Sequence, residues 1–200
     1  LLEVRKKKGD LLIGIPKETS FQERRVALVP EAVSLLIANG HQVLIETEAG
    51  KGSNFSDNEY SEAGAQIIYD RKGVYQADII LKVAPPSEEE IGFMPGNQTF
   101  ISALQLSTQP KEILQLLTAK KITAIAWDYI RDEEGVFSIV RTMSEIAGTN
   151  AILIASNLLS TSHGGKGVLL GGIAGVPPAK VIILGAGVVA EFASRTAIGL

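Results

Sequence analysis

Cysteine is absent from all 200 residues. That absence excludes disulfides, a thiolate nucleophile and Cys-ligated zinc, and it is compatible with a cytoplasmic setting. Charge of one sign is not dominant either. Nineteen Lys and Arg stand against 22 Asp and Glu, for a net charge of -3. A nucleic-acid binder needs clustered Lys and Arg, and the one basic run here, Arg5 to Lys8, reads as a solvated arm. Long apolar runs are missing as well. A bilayer span needs roughly 18 consecutive apolar residues. The longest stretch considered, Ala151 to Leu159, is shorter and contains Ser156 and Asn157. The first residues lack the apolar segment of a signal peptide. No metal site is expected, and the two histidines, His41 and His163, read as structural or solvated.

What is present is enough apolar material for a core: 46% hydrophobic residues with 20% charged. Leu11 to Pro16 reads as a buried strand stopped by proline. Pro30 then opens a helix that closes at Asn39-Gly40, proline entering and glycine leaving. Strands follow at 42–47, 65–69, 78–84, 99–104 and 122–130, with a short helix at 59–63 and a longer one at 110–120. Residues 49–57, rich in Gly, Ser and Asn, read as loop. Short strands alternating with helices imply parallel strands joined by helical crossovers. The expected class is therefore a doubly wound, mostly parallel α/β sheet. Ligands of such sheets sit beyond the carboxyl ends of the strands.

The pattern changes after Asp132. Met143 to Leu159 predicts a long helix with Ser144 near its start, and a Gly-rich stretch and a strand at 180–184 follow. The expected division is an extension over 1–10, a substrate domain over 11–140, and a connecting helix with the start of a Rossmann domain over 141–200. The boundary is placed near 135–145. The second part carries the most specific motif, Gly185-Ala186-Gly187-Val188-Val189-Ala190, which fits G-x-G-x-x-A after an apolar strand and before a helix. Gly185 permits the tight turn, Gly187 lets a pyrophosphate approach the backbone, and Ala190 allows close packing. Free N–H groups at the helix start then receive phosphate. The bland alternative is a turn that needs glycine only for its geometry. The ribose-binding acid of such folds falls about 20 residues further on, which leads to the expectation that this sequence is a fragment.

One cation stands out on chemistry alone, and a second is open to two readings. Lys82 interrupts Ile79-Ile80-Leu81 and Val83-Ala84 near a strand's carboxyl end, so it must snorkel, pair or work. Arg25 follows the first strand, where a guanidinium fork can grip a carboxylate or simply face solvent.

Five segments in register resemble one family. They are Gly14 to Glu18, Glu23 to Ala27, Ile80 to Val83, Met143 to Gly148 and Gly185 to Gly187. Together, from about residue 11 to 200, they resemble the alanine dehydrogenase and pyridine nucleotide transhydrogenase alpha-subunit family. Met143 to Gly148 and Gly165 to Gly172 are closer to the dehydrogenase branch, whereas Pro177 to Val181 is similar to the transhydrogenase version.

The resemblance implies an NAD-linked enzyme that reversibly deaminates L-alanine to pyruvate and ammonia. It implies that Arg25 binds the substrate carboxylate and that Lys82 contacts the substrate carbonyl or amine. Ser144, which could equally be a helix cap, would lie near bound NAD. Gln105 departs from the pattern, standing where alanine dehydrogenases carry a catalytic histidine. The family's catalytic aspartate would lie beyond Leu200. A homo-oligomer, hexameric in the dehydrogenase branch, is also implied. A transhydrogenase alpha subunit and a non-catalytic NAD-binding module are the alternative readings.

Overall fold

The computed structural model describes residues 10–200, so the basic run Arg5 to Lys8 lies outside the described residues. The chain divides into two units, the first running to Asp128 and the second covering Tyr129–Leu200. This division falls ahead of the 135–145 stretch.

The first unit is a six-stranded, all-parallel sheet. Its strands are β1 (Leu12–Ile15), β2 (Gln42–Glu46), β3 (Gln66–Ile68), β4 (Ile79–Leu81), β5 (Thr99–Ser102) and β6 (Thr123–Ala126). Their spatial order is β3-β2-β1-β4-β5-β6. A helix joins every successive pair: α1 (Pro30–Ala38), α2 (Asp57–Glu62), α3 (Arg71–Val74), α4 (Glu88–Phe93) and α5 (Lys111–Ala119). The pleat turns alternate residues to opposite faces, and both faces are covered. Ile79 and Leu81 pack against a cluster holding Ile15, Val33, Ile45 and Tyr60, while Ile80 between them joins Tyr75, Met94 and Phe100. The sheet is thus doubly wound, as the alternation of elements implies.

Local chemistry sets the helix starts. Pro30 occupies the first turn of α1, where no N–H is needed. Ser56 and Ser87 cap α2 and α4, each in a reciprocal box with the glutamate three residues later, Glu59 and Glu90. Two strands are shorter than their apolar runs suggest. β4 stops at Leu81, and the 122–130 stretch leaves the sheet after Ala126 to form a 3-10 turn over Trp127–Tyr129.

The second unit is built on α6 (Ser138–Leu159) and α7 (Val188–Ile198). The two helices meet closely at Gly148. A Cβ there would collide with the Val189 carbonyl and stand 2.9 Å from the Phe192 Cβ. Ile152, Leu170 and Ala193 form the small core of this unit. Two expectations need correction. Residues 180–184 form no ladder, because no neighbouring strand lies beside them among the described residues, and Ile182 and Leu184 are strongly exposed. The long helix begins at Ser138 rather than near Met143, so Ser144 lies in its second turn and is not its cap.

Candidate functional site

β1 and β4 are neighbours from which the connections depart in opposite directions, toward β2 and β3 on one side and β5 and β6 on the other. In open α/β sheets this reversal opens a crevice beyond the strands' carboxyl ends. Two charged residues leave the sheet there. Glu18 lies three residues past β1, and Lys82 directly follows β4.

Lys82 is almost fully buried, and its ammonium is enclosed by carboxylates. Nζ lies 2.8 and 3.0 Å from the two oxygens of Glu90, and 3.4 Å from Oε2 of Glu18. Glu90 Oε1 also accepts from Arg71 at 2.7 Å, and Oε2 from the Ser87 N–H at 2.8 Å. The four groups therefore compensate one another's charge in a region that could not hold any of them alone. Burial pushes the Glu90 carboxyl up, but Lys82 and its hydrogen bonds hold it below its ordinary value. Glu18 behaves in the opposite way. Burial outweighs Lys82 and its own hydrogen bonds, and its carboxyl sits above the usual carboxylate range. Its Oε1 accepts from the Val83 N–H at 2.6 Å, so this side chain ties the end of β1 to the residues after β4.

Arg25 lies on the rim of a concavity of about 370 Å³ whose lining includes Lys17, Glu18, Glu23, Arg24, Glu48 and Lys51. Its guanidinium is half exposed and donates to both oxygens of Glu23, from Nε at 2.8 Å and from a terminal nitrogen at 2.6 Å. Glu23 is held below its usual range by that guanidinium. Glu48 is brought down to about 2 by Lys17 and Lys51. The structure thus brings Arg25 and Glu18 to one concavity, with Lys82 one ion pair behind Glu18. Lys82 itself does not line that concavity. Of the three sequence-level options for it, this arrangement is pairing.

Gln105 follows β5 in a left-handed backbone conformation, φ +48°. Its N–H and that of Leu104 reach the two oxygens of Asp128, at 3.3 and 3.2 Å. Its carbonyl accepts from the Thr108 N–H at 2.9 Å. The side chain is exposed and does not line the Arg25 concavity. Glu18 and Glu90 were not singled out in the sequence. The Ser87-x-x-Glu90 spacing announces a capping box, but only the folded chain shows Glu90 meeting Lys82.

In the second unit, Ser144, Gly185, Gly187, Val188, Val189 and Ala190 all line one concavity of about 590 Å³. Ala186 belongs to the same turn but is not part of that lining. Gly185 has φ +120°, a conformation that favours glycine. A Cβ on Gly185 or Gly187 would meet nothing within 4 Å, so the turn faces open space rather than packed protein. Gly187 precedes α7 as its N-cap and no side chain caps the helix, which leaves first-turn N–H groups available to an anion. The Ser144 hydroxyl donates to the Val140 carbonyl at 2.9 Å.

Two family models match consecutive stretches of the chain. The N-terminal domain of the family described as "Alanine dehydrogenase/PNT" matches residues 14–147, and its C-terminal domain matches 151–200. The chain belongs to the alanine dehydrogenase/PNT family. Among similar proteins, an alanine dehydrogenase of Bacillus subtilis (strain 168) is 43% identical over 95% of this chain and 50% of its own length. One from Methanococcus maripaludis is 40% identical over 95% of this chain and 51% of its own. A solved L-alanine dehydrogenase superposes with a TM-score of 0.89 at 38% identity, covering 94% of this chain and 52% of that one. A transhydrogenase from Sinorhizobium meliloti superposes at 0.81 with 28% identity, covering 94% and 54%. The chain spans about half the length of these family members. Among the described residues no helix is long and apolar enough to cross a membrane.

Proposed function

We propose that this chain is part of an NAD-linked oxidoreductase that converts L-alanine reversibly to pyruvate and ammonia. We place the functional division near residue 140, with substrate chemistry before it and nucleotide binding after it. The observation carrying the proposal is the pairing of two built features in one family member. Arg25, with its planar fork, stands at a concavity beside the switch point, and an uncapped helix start follows the open glycine turn at 185–187.

The residues present fit a dinucleotide. Gly185 and Gly187 leave the room a pyrophosphate needs, the start of α7 presents N–H groups to it, and Ser144 borders the same space. NAD, when bound, supplies the hydride acceptor. Arg25 would hold the substrate carboxylate bidentately, exchanging its contact with Glu23 for one with the ligand. Lys82 would act from behind, fixing Glu18 and through it the Val83 backbone, because its ammonium is enclosed. Gln105 can donate or accept a hydrogen bond at the end of β5 but has no proton to transfer near neutral pH.

The alanine dehydrogenase reading is favoured over the transhydrogenase one by the higher similarity of the dehydrogenases, 38% against 28% among the solved structures. A homo-oligomer in the cytoplasm belongs to the same proposal, and light scattering of the purified protein tests the assembly. For the activity, L-alanine added to the intact protein with NAD should form NADH and pyruvate in equal amounts. NADH formation that does not depend on alanine, or none at all, would contradict the proposal.

A further inference from the structure

A guanidinium fork grips a carboxylate well when it is already aimed, and Arg25 sits far along the connection between β1 and α1. That connection is tied down near its start. The Lys17 N–H donates to Glu46 at 2.8 Å, and Glu18 accepts from the Val83 N–H at 2.6 Å. The pairing of Arg25 with Glu23 is internal to the connection and travels with it. A contact that reaches outside comes from the 3-10 turn Lys51–Ser53, which follows β2. The Ser53 hydroxyl donates to the Arg24 carbonyl at 2.9 Å. Gly52 comes closer still: a Cβ there would stand 2.5 Å from the Arg24 carbonyl oxygen and 3.0 Å from its Cα. The backbone of Gly52 is not in the left-handed region, so space rather than conformation calls for glycine.

The Arg24 carbonyl and the Arg25 N–H are two edges of one planar peptide unit. Ser53 holds the carbonyl edge. Glu23 Oε1 accepts from the N–H edge at 3.0 Å and also takes the Arg25 Nε. With that plane fixed, the point from which the Arg25 side chain departs is fixed too. A ligand carboxylate that takes the fork from Glu23 leaves the Ser53 edge in place. The turn is itself braced on the core. The Ser53 N–H donates to the Gly50 carbonyl at 2.9 Å, and a Cβ on Gly50 would stand 2.5 Å from the Tyr60 ring. Tyr60 is fully buried, and its hydroxyl donates to the Leu28 carbonyl at 2.8 Å, further along the same connection.

We propose that Gly52 and Ser53 are positioning residues of the substrate-carboxylate site, aiming Arg25 through the Arg24 backbone. The inference rests on the reading of Arg25 as the group that holds the substrate carboxylate. Gly52 lines the Arg25 concavity, but Ser53 does not. An effect of Ser53 on the substrate therefore has to pass through the backbone it holds. A carboxylate contact is made equally by bound substrate and by the transition state, so its weakening raises KM and leaves kcat nearly unchanged.

The test is a double-variant cycle on the intact protein, followed by steady-state kinetics in the pyruvate direction. Ser53→Ala, Ser53→Thr and Gly52→Ala are each made with Arg25 present and with Arg25→Ala. Ser53→Ala should raise KM for pyruvate by about 2- to 12-fold, the worth of one neutral hydrogen bond. Its kcat and its KM for NADH should stay close to wild type. Ser53→Thr, which keeps the hydroxyl, should stay near wild type throughout, and Gly52→Ala should raise KM further than Ser53→Ala. In the Arg25→Ala background none of the three should raise KM again, because residues that act through one another are not additive. Melting temperatures check folding. If Gly52→Ala does not fold, Ser53→Ala, which adds no bulk, decides. An unchanged KM in Ser53→Ala, in an enzyme that Arg25→Ala does impair, overturns the positioning role alone. So does a rise that is equally large without Arg25, and a Ser53→Thr KM as high as that of Ser53→Ala. An Arg25→Ala enzyme with wild-type KM, or a wild type that does not turn over pyruvate, overturns the substrate reading and the positioning role with it.

Discussion

The Lys82 ammonium chelates the Glu90 carboxylate, 2.8 Å from one oxygen and 3.0 Å from the other, with both side chains only 1% exposed. Such a pair contributes little net stability compared with a well-packed apolar replacement, but losing one partner strands the other charge. Lys82→Met should therefore lower stability by about 3–5 kcal/mol, read from chemical denaturation. Lys82→Met combined with Glu90→Leu should recover part of the loss, because the two charges of the closest pair are removed together; Glu18 and Arg71, which each lose one partner, set the remainder. A double-variant loss equal to the sum of the two single-variant losses would mean that the pair is not coupled.

Acid should act on this pair with a definite sign. Glu90 is held below its ordinary value in the folded protein, so its contribution is present above the unfolded carboxylate range and lost as pH falls through the folded value. Glu18 works in reverse, since its raised carboxyl binds protons more readily folded than unfolded. Acidification should then destabilise wild type less than Glu90 alone implies. In Glu18→Gln the loss on acidification should be steeper, measured by thermal melts across the acidic range.

Arg25→Ala should raise KM for pyruvate and lower kcat/KM by roughly 10- to 150-fold, the equivalent of about 1.5–3 kcal/mol for one charge-assisted contact. Arg25→Lys should rescue little, because an ammonium cannot reproduce the bidentate fork. Since Glu23 occupies that fork at 2.6 and 2.8 Å, Glu23→Gln should lower KM. Steady-state kinetics in the pyruvate direction decides each point, and an unchanged KM in Arg25→Ala would remove the arginine from the substrate site.

Much of the architecture was legible because it rests on local chemistry. Pro30 and Gly40 bracket α1 as their backbone preferences require. The apolar runs at β1, β2, β3 and β5 are short and bounded, so their limits fall within a residue or two of those read from the pattern. The four-residue α3 and six-residue α4 were not legible, since neither is long enough for a 3.6-residue period to show. The strand read at 180–184 failed for another reason. Apolar content signals burial, but a strand exists only with a partner to complete its ladder. In the site, Gly185 to Ala190 could be picked out by residue type and spacing, and Arg25 through the family resemblance. Glu18 and Glu90 could not, because their significance lies in meeting Lys82 from eight residues away on one side and 64 on the other.

The closest helix approach in the second unit is also testable. At Gly148 any Cβ would drive into the Val189 carbonyl and the Phe192 side chain. Gly148→Ala gains helix propensity, yet overpacking costs about 1–3 kcal/mol. The variant should be less stable than wild type and should bind NADH more weakly, because α7 carries the nucleotide turn at its start. Gly187→Val, at a position where a Cβ meets nothing within 4 Å, should instead keep its melting temperature and lose NADH affinity by calorimetry. The reverse pattern would move the nucleotide away from this turn.

Hydride tracing tests the central claim most directly. L-alanine carrying deuterium at carbon 2 is supplied to the intact protein with NAD, and the reduced nucleotide is analysed by mass spectrometry. The account predicts NADH that carries the deuterium, formed together with pyruvate and without any second nucleotide. NADH lacking deuterium, or label transfer that appears only when a second nicotinamide nucleotide is added, would contradict it.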